Sequence, residues 1–566
     1  MLNIIPTPKS IEYKKGFLSV KAISQFVGLV DQRILTQIAK LPTDSNGVSL
    51  TLNIDENNSE NYTIEITTSG IVITANGIRG GFYAIQTLRQ IFTADKVPCV
   101  TITDYPSLEY RGFYHDITRG KIPTLDTLKS LIDDLAYLKY NSLQLYVEHV
   151  FEFSETQELI KKTGYITKAE LIELDAYCKQ NFIDFVPSLS TFGHMYEILM
   201  EENYKHLRVL KDYIKEPNEW WSRQMHHTID PTNPQSIELV KSLIDQYAQN
   251  FTSDYFNICC DETFDLKQRF REQEKDLYIN FVKQIIAHVK SKGKKVMMWA
   301  DILLIYPETI NDIPKDTIFL NWDYSPNPSK EKVEKFKALG KTQIVCPGNW
   351  SWNNFVEKVF DGEANISKMS QFSIDNGALG MLVTNWGDYN NICSLENSRY
   401  SLFLGAEKCW NPSERISQDF YASVNRLAFG FEKAMDYYMQ ADNLQKSIHW
   451  YHHCEMYSHV TKGLDYNHEL DYSVELISQK QQAYVELYNA LLAEKWDNGD
   501  YKCQLINAIQ GIMLIVETNA IMSKTPITRL IDIKTWLNEY TRLWLKSNKP
   551  SELYRVVKLF EDIDKM

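Results

Sequence analysis

Tyr255-Phe-Asn-Ile-Cys-Cys-Asp-Glu262 is the stretch on which the reading of this chain turns. Its apolar part, Tyr255 to Cys260, has the length and composition of a buried parallel strand. Asp261 and Glu262 stand at its exit. Burying an unpaired carboxylate costs several kcal/mol, so two of them do not sit there for packing. Neighbouring carboxylates repel, which favours a proton on one of them near neutral pH. That is the state a general acid needs. A strand-to-helix turn also takes Asp or Glu as an N-cap. The pair alone therefore leaves chemistry and capping both open.

Working outward, residues from about 110 to 400 alternate between strand and helix patterns. The expected strands are Tyr110–His115, Ser142–Val147, Ile183–Val186, Tyr255–Cys259, Lys295–Trp299, Thr317–Asn321, Gln343–Cys346 and Leu379–Thr384. Between them, Leu125, Leu128, Leu131, Ile132, Leu135 and Leu138 form one helical stripe. Thr167 and Glu170 make a capping box for a helix opening at Lys168. Eight strands alternating with helices predict a (β/α)8 barrel, an α/β fold, over residues 106–408. An open doubly wound sheet would need a Gly-rich phosphate loop, and none is present.

Residues 1–105 predict a small α+β domain. Its strands are Val48–Ile54, Tyr62–Ile66 and Ile71–Thr74, followed by a helix carrying Phe82, Ile85, Leu88 and Phe92. Asp104-Tyr-Pro106 reads as a linker. Residues 409–566 predict an all-helical domain, with long amphipathic helices at Tyr472–Ala493 and Tyr501–Lys524.

Composition narrows the partners. Of 566 residues, 44% are hydrophobic and 23% charged, which suits an ordinary packed globular chain. A net charge of −13 argues against nucleic acid and against an anionic membrane. Nine scattered cysteines without a Cys-x-x-Cys motif read as buried thiols in a reducing compartment. The first residues lack a basic, apolar leader, and no stretch reads as long enough to span a bilayer. We therefore expect a cytoplasmic protein. The 12 Trp and 33 Tyr are many, and Trp in loops suits the apolar faces of sugars.

Chemistry in a barrel sits at the C-terminal strand ends. Strand one opens with Arg111-Gly112 and runs to His115-Asp116. Strand two ends in Glu148-His149, and strand three leads to Thr191-Phe-Gly-His194. Strand four gives Asp261-Glu262, strand five Trp299-Ala-Asp301 and strand six Trp322-Asp-Tyr324. Asn349-Trp-Ser-Trp352 follows strand seven, and Asn385-Trp-Gly-Asp388 ends strand eight. Each residue has a plain structural reading: His194 alone as a satisfied histidine, any one Trp as core. Four of the last five strands ending at or near Trp is harder to assign to packing. Aromatic walls with carboxylates are what a carbohydrate pocket requires. A metal centre from His115, Asp116, His149, His194, Asp261 and Glu262 is the competing reading. Strand one lacks a His-x-His, and that reading leaves the Trp surplus without a role.

Taken in order, these motifs resemble glycoside hydrolase family 20, the β-N-acetylhexosaminidases. Ile4-Ile-Pro-Thr-Pro8 and Gly80-Gly-Phe-Tyr-Ala-Ile-Gln-Thr-Leu-Arg-Gln90 are similar to that family's accessory domain. Asp104-Tyr-Pro106 and Tyr110-Arg-Gly-Phe113 are similar to its entry into the barrel. Asn257-Ile-Cys-Cys-Asp-Glu262 matches the family's His-x-Gly-Gly-Asp-Glu signature in its last two residues. Leu145-Tyr-Val-Glu148 and the helical C-terminal part resemble the bacterial exo-β-N-acetylglucosaminidases. The departures are Asn257 for His, Cys259 and Cys260 for two glycines, and Glu148 (or His149) for an Asp. The family's Tyr after strand seven is replaced by Trp350 or Trp352, with Tyr324 available from strand six.

The resemblance implies an exo-acting, retaining hydrolase without metal or cofactor, acting on glycans with terminal β-linked N-acetylhexosamine. A homodimer is left open. The substrate's 2-acetamido oxygen would attack the anomeric carbon and form an oxazolinium. Glu262 would be the acid and then the base, and Asp261 would hold the acetamido N–H. Arg111 and Asp388 would bind sugar hydroxyls. Trp299, Trp322 and Trp386 would wall the pocket, with Asp301, Tyr324, Trp350 and Trp352 beside them. His194, backed by Glu148, would keep Glu262 protonated. A galactosamine- or sulfated-sugar-specific relative and a silent sugar-binding protein are the alternatives.

Overall fold

The structure is a computed structural model. It describes every residue except 1, 29, 30, 56, 58, 213–222, 224, 225, 447, 465 and 467–471. The N-terminal sheet contains β1 (Ser10–Phe17), β2 (Ile23–Gly28), β3 (Val48–Ile54), β4 (Tyr62–Ile66), β5 (Gly70–Ala75) and β6 (Pro98–Asp104). Their order is β1-β6-β4-β5-β3-β2. The helix Ile78–Ile91 buries Phe82, Ile85 and Leu88.

The barrel strands are β7 (Tyr110–Asp116), β8 (Ser142–Val147), β9 (Asp184–Leu189), β10 (Tyr255–Asn257), β11 (Lys295–Trp299), β12 (Ile318–Trp322), β13 (Gln343–Cys346) and β14 (Gly380–Asn385). They form a closed barrel. The seam joins β14 to β7 in parallel, from Gly380 beside Tyr110 to Asn385 beside His115. All eight expected strands are present. One differs in a way that matters: β10 stops at Asn257, two residues before the expected end. The Asn257 side-chain oxygen accepts the Cys259 N–H at 3.0 Å, which turns the chain out of the ladder.

Thr167 and Glu170 form the expected capping box. The barrel interior is a core of its own, in which Tyr114, Tyr146, Trp299 and Trp386 lie above Met297, Leu320, Ile344 and Leu382. The C-terminal region is helical, with Val474–Ala493 and Gly499–Met522 its longest helices. Gly499–Met522 is long and apolar enough to cross a membrane, which corrects the expectation that no stretch is. In this fold, 83% of its apolar window is buried inside the protein.

Arg111 is not at the site. It is the second residue of β7, at the N-terminal end, and strand rise puts it about 17 Å from Asp116 at the other end. Its guanidinium donates to the Lys139 carbonyl (3.0 Å), the Leu108 carbonyl (2.9 Å) and the Tyr83 hydroxyl (3.0 Å). It also pairs with Glu60 of the N-terminal sheet domain at 2.9 Å. A second buried junction lies alongside. There Lys139 pairs with Asp104 at 3.1 Å, and the Trp410 indole N–H donates to the same carboxylate at 2.7 Å. Arg111 thus fastens the sheet domain to the base of the barrel. Arg111→Ala removes a fully buried charge and five contacts, the Glu109 carbonyl at 3.2 Å being the fifth. It is expected to cost about 3 kcal/mol or more of stability, read as a lowered Tm, while kcat and KM are unchanged.

Candidate active site

The site is built on the turn that follows β10. Cys259, Cys260 and Glu262 all have positive φ (55°, 67° and 49°), the left-handed region that favours glycine. The family signature has two glycines where this chain has the two cysteines. The turn is held on three sides. The Tyr278 hydroxyl donates to the Cys260 carbonyl at 2.8 Å, and the Thr191 hydroxyl donates to the Ile258 carbonyl at 2.6 Å. The Glu262 N–H donates to Asp301 Oδ2 at 3.0 Å. Gly193 passes so close that a Cβ there would lie 2.4 Å from the Asp261 carbonyl.

The turn brings adjacent side chains to one place. His194 Nε2 lies 3.4 Å from Asp261 Oδ2 and 3.3 Å from Glu262 Oε2. His194 itself has a φ of 55°, and its N–H donates to His227 Nδ1 at 2.7 Å. The two imidazoles stack at 4.8 Å. Burial opposes a charge on His194, but the Asp261 and Glu262 carboxylates outweigh it and push its pKa up to about 10. Burial raises Glu262, but the hydrogen bond and charge of His194 outweigh that and hold it below the ordinary glutamate value. The proton shared by this pair is therefore held by His194, which corrects the expectation that His194 keeps Glu262 protonated. Asp301, which accepts the Glu262 N–H, is pushed up to about 8 by burial and then by the charge of Asp261. His227 is held well below the ordinary histidine range by burial and by the charge of His194, so it is neutral.

Arg119 is the cation that joins the strand-end carboxylates of the site. It follows β7 at the C-terminal end, on the same side as the pair. It contacts Asp388 at 2.7 Å, Glu148 at 3.3 Å and Asp116 at 3.4 Å, and its NH2 lies 3.4 Å from His194 Nδ1. Glu148 also pairs with Arg223 at 3.0 Å, and these two arginines overcome its burial and lower its pKa. Burial raises Asp388 against the pull of Arg119. The sequence reading missed Arg119 and His227. A signal for Arg119 existed, because it lies three residues beyond the strand's last carboxylate. His227 carries none.

The aromatic residues form one floor. Trp299 packs edge-on against Tyr114 at 5.3 Å, and Trp386 lies 5.8 Å from Trp299 and 5.2 Å from Tyr146. The Trp386 indole N–H donates to the Tyr324 hydroxyl at 2.8 Å. Tyr324 stacks on Trp322 at 5.0 Å and meets Trp352 at 5.3 Å, and Trp350 stacks on Trp352 at 5.0 Å. The expected Trp and Tyr residues thus share one surface. Among the described residues, no three His, Cys, Asp or Glu side chains are grouped to hold a metal ion.

Residues 108–419 match the glycosyl hydrolase family 20 catalytic domain, and residues 1–105 match domain 2 of that family. The chain belongs to glycoside hydrolase family 20. A lacto-N-biosidase of Bifidobacterium bifidum is 25% identical over 335 residues, 55% of this chain and 28% of that protein. A beta-hexosaminidase of Emericella nidulans is 24% identical over 335 residues, 52% of this chain and 53% of that protein. This chain therefore spans from about a quarter to about half the length of these curated relatives. A chitobiase of Flavobacterium johnsoniae has the same fold, with a TM-score of 0.62 at 18% identity over 99% of both chains.

Two predictions follow from the electrostatics. Arg119→Ala leaves three carboxylates facing one another. It is expected to lower kcat/KM by about 100- to 1000-fold. The second concerns stability. His194, raised in the folded protein, contributes stability that is full below its ordinary value of 6.5 and is lost as pH rises towards about 10. Glu262, lowered, contributes stability that is present above its ordinary value of 4.5 and is lost as pH falls below it. His194→Asn should therefore depress Tm most between those two values, and the gap to the unaltered protein should close on either side.

Proposed function

We propose that this chain is a retaining exo-β-N-acetylhexosaminidase that removes terminal β-linked N-acetylglucosamine with help from the substrate's own acetamido group. One observation carries this reading: two consecutive carboxylates, Asp261 and Glu262, converge on the same histidine nitrogen above an aromatic floor. Two protein carboxylates on one nitrogen leave little space for an attacking water between them, which counts against inversion. An internal nucleophile needs no such space.

Asp261 accepts the acetamido N–H, aligns its carbonyl oxygen on the anomeric carbon and faces the positive charge that develops there. Glu262 protonates the leaving oxygen. Its proton comes from His194, 3.3 Å away. Substrate expels water and so raises Glu262, while the acetamido N–H engages Asp261 and weakens its hold on His194. Both changes move the proton from imidazole to carboxyl. Glu262 then takes a proton from the water that opens the oxazolinium. Trp386 forms the wall behind the N-acetyl group, with Trp299, which is fully buried, packed behind it rather than lining the pocket as expected, and Arg119 with Asp388 faces the sugar hydroxyls. We place the protein in a reducing compartment, because its nine cysteines are free thiols.

Release of 4-nitrophenol from matched β-N-acetylglucosaminide, β-N-acetylgalactosaminide and β-glucoside tests this. The acetamido sugars should be cleaved and the glucoside spared. Glucoside cleavage would require a protein nucleophile and would overturn the mechanism. Glu262→Gln should lose most turnover on natural glycosides and less on 4-nitrophenyl substrates, whose leaving group needs little acid. Equal loss on both would remove Glu262 as the acid.

A further inference from the structure

Asp301 occupies an unusual place. It stands two residues past the end of β11, at the start of the short helix Asp301–Ile305, against the Asp261–Glu262 turn. Its Oδ2 accepts the Glu262 main-chain N–H at 3.0 Å. Its Oδ1 is buried, with no hydrogen-bond partner among the described residues. An unpartnered buried oxygen costs far more on a carboxylate than on a neutral carboxyl. Among the described residues, the titratable groups that act on it most from neighbouring elements are acids and neutral donors. They are Asp261, Glu262 and the Cys260 thiol in the turn, and the Tyr278 hydroxyl on the helix Glu274–Ser291. The nearby cation, His194, is already shared between Asp261 and Glu262.

We propose that Asp301 is a positioning residue for Glu262: as a neutral, protonated carboxyl it accepts the Glu262 N–H, fixes the left-handed turn and adds no third negative charge beside the pair. This rests on the reading of Glu262 as the acid. The main-chain bond sets the backbone conformation that aims the Glu262 side chain at His194. Without an acceptor, a residue with a φ of 49° would lose one of the contacts that hold it there. With a full charge on Asp301, three carboxylates would compete for one imidazolium. The group's upward shift, driven first by burial, agrees with the geometry.

The test compares Asp301→Asn with Asp301→Ala as kcat, KM and Tm on 4-nitrophenyl β-N-acetylglucosaminide, from about pH 5 to about pH 10. Asn keeps a neutral acceptor. It should lose less than about tenfold in kcat and should move the alkaline limb expected of the unaltered enzyme, where Asp301 loses its proton. Ala has no acceptor and should lose about 100-fold or more, in kcat rather than in KM. Equal damage in the two variants, or an alkaline limb unmoved in Asn, would overturn the assignment. A merely structural role would lower Tm in both and leave the limb in place. One readout needs no turnover. In protein labelled with carbon-13 aspartate, the carboxyl resonance missing from Asp301→Asn should titrate above neutrality. If it already stands at the carboxylate position near pH 6, the proposal fails whatever the enzyme hydrolyses.

Discussion

The site depends on a backbone that turns left where β10 ends. Consecutive strand residues point to opposite faces, so an ordinary strand could not aim Asp261 and Glu262 at one nitrogen. The left-handed stretch through Cys259, Cys260 and Glu262 removes that restriction. Each such non-glycine residue costs roughly 1–2 kcal/mol. The surroundings offset the strain with hydrogen bonds from Thr191 and Tyr278, an acceptor on Asp301, and the close approach of Gly193. The cysteines also use their side chains. The Cys260 thiol lies 3.3 Å from the Thr191 hydroxyl, and the Cys259 thiol lies 3.5 Å from the Ser188 hydroxyl. Two glycines would relax the turn but would leave one cavity in the barrel interior, at Cys259, and another in the larger core outside it, at Cys260.

The barrel interior supplies the second constraint. A core of its own, it ends in an aromatic layer at the open side. Gly348 allows that layer to close, since a Cβ there would lie 2.6 Å from the Trp352 ring and 2.9 Å from Tyr324. The indole of Trp386 is fixed by the Tyr324 hydroxyl, so the floor is rigid before any ligand arrives. A rigid apolar floor under a charged rim gives orientation at little entropic cost, which is how a small pocket achieves specificity.

The barrel strands were legible because each is an apolar run with a polar exit. The strands β1 and β2 were not. They are the edges of the N-terminal sheet, and β1 carries Glu12, Lys14 and Lys15 on largely exposed faces, so alternation is lost. The strand β6 alternates, but it runs straight into the Asp104-Tyr-Pro106 signal that reads as a linker. The misplaced arginine has a simple origin. Arg111 lies at the start of β7 and Arg119 just past its end, and a motif match does not say which end of a strand faces the site. Strand polarity does, because chemistry belongs to the C-terminal end. The resting proton was also misread. Like-charge repulsion predicts one raised carboxyl beside the pair, but the sequence does not show that His194 stands between Asp261 and Glu262 or that burial and the charge of Asp261 push the shift onto Asp301.

The helical C-terminal region then has a physical role at the open end of the barrel. Trp450 donates its indole N–H to the Tyr389 carbonyl, in the loop that carries Asp388. Lys121, two residues after Arg119, donates to the Ile392 and Cys393 carbonyls and lies 4.9 Å above the Trp544 ring. The Glu552 N–H reaches the Gly120 carbonyl at 3.4 Å, and Arg555 lies 3.9 Å from Glu197, which Arg223 also approaches at 3.8 Å. Loops outside a barrel are its most mobile parts. Here the two loops that hold Arg119 and Asp388 are clamped from outside by helices with their own core. The ion pair between those residues spans strands one and eight, so it keeps its 2.7 Å geometry only if both loops are fixed. The sheet domain fastens the base of the barrel through Arg111, and the helices fasten its mouth. The turn that carries Asp261 and Glu262 can then hold its strained conformation, because neither end of the barrel is free to relax it.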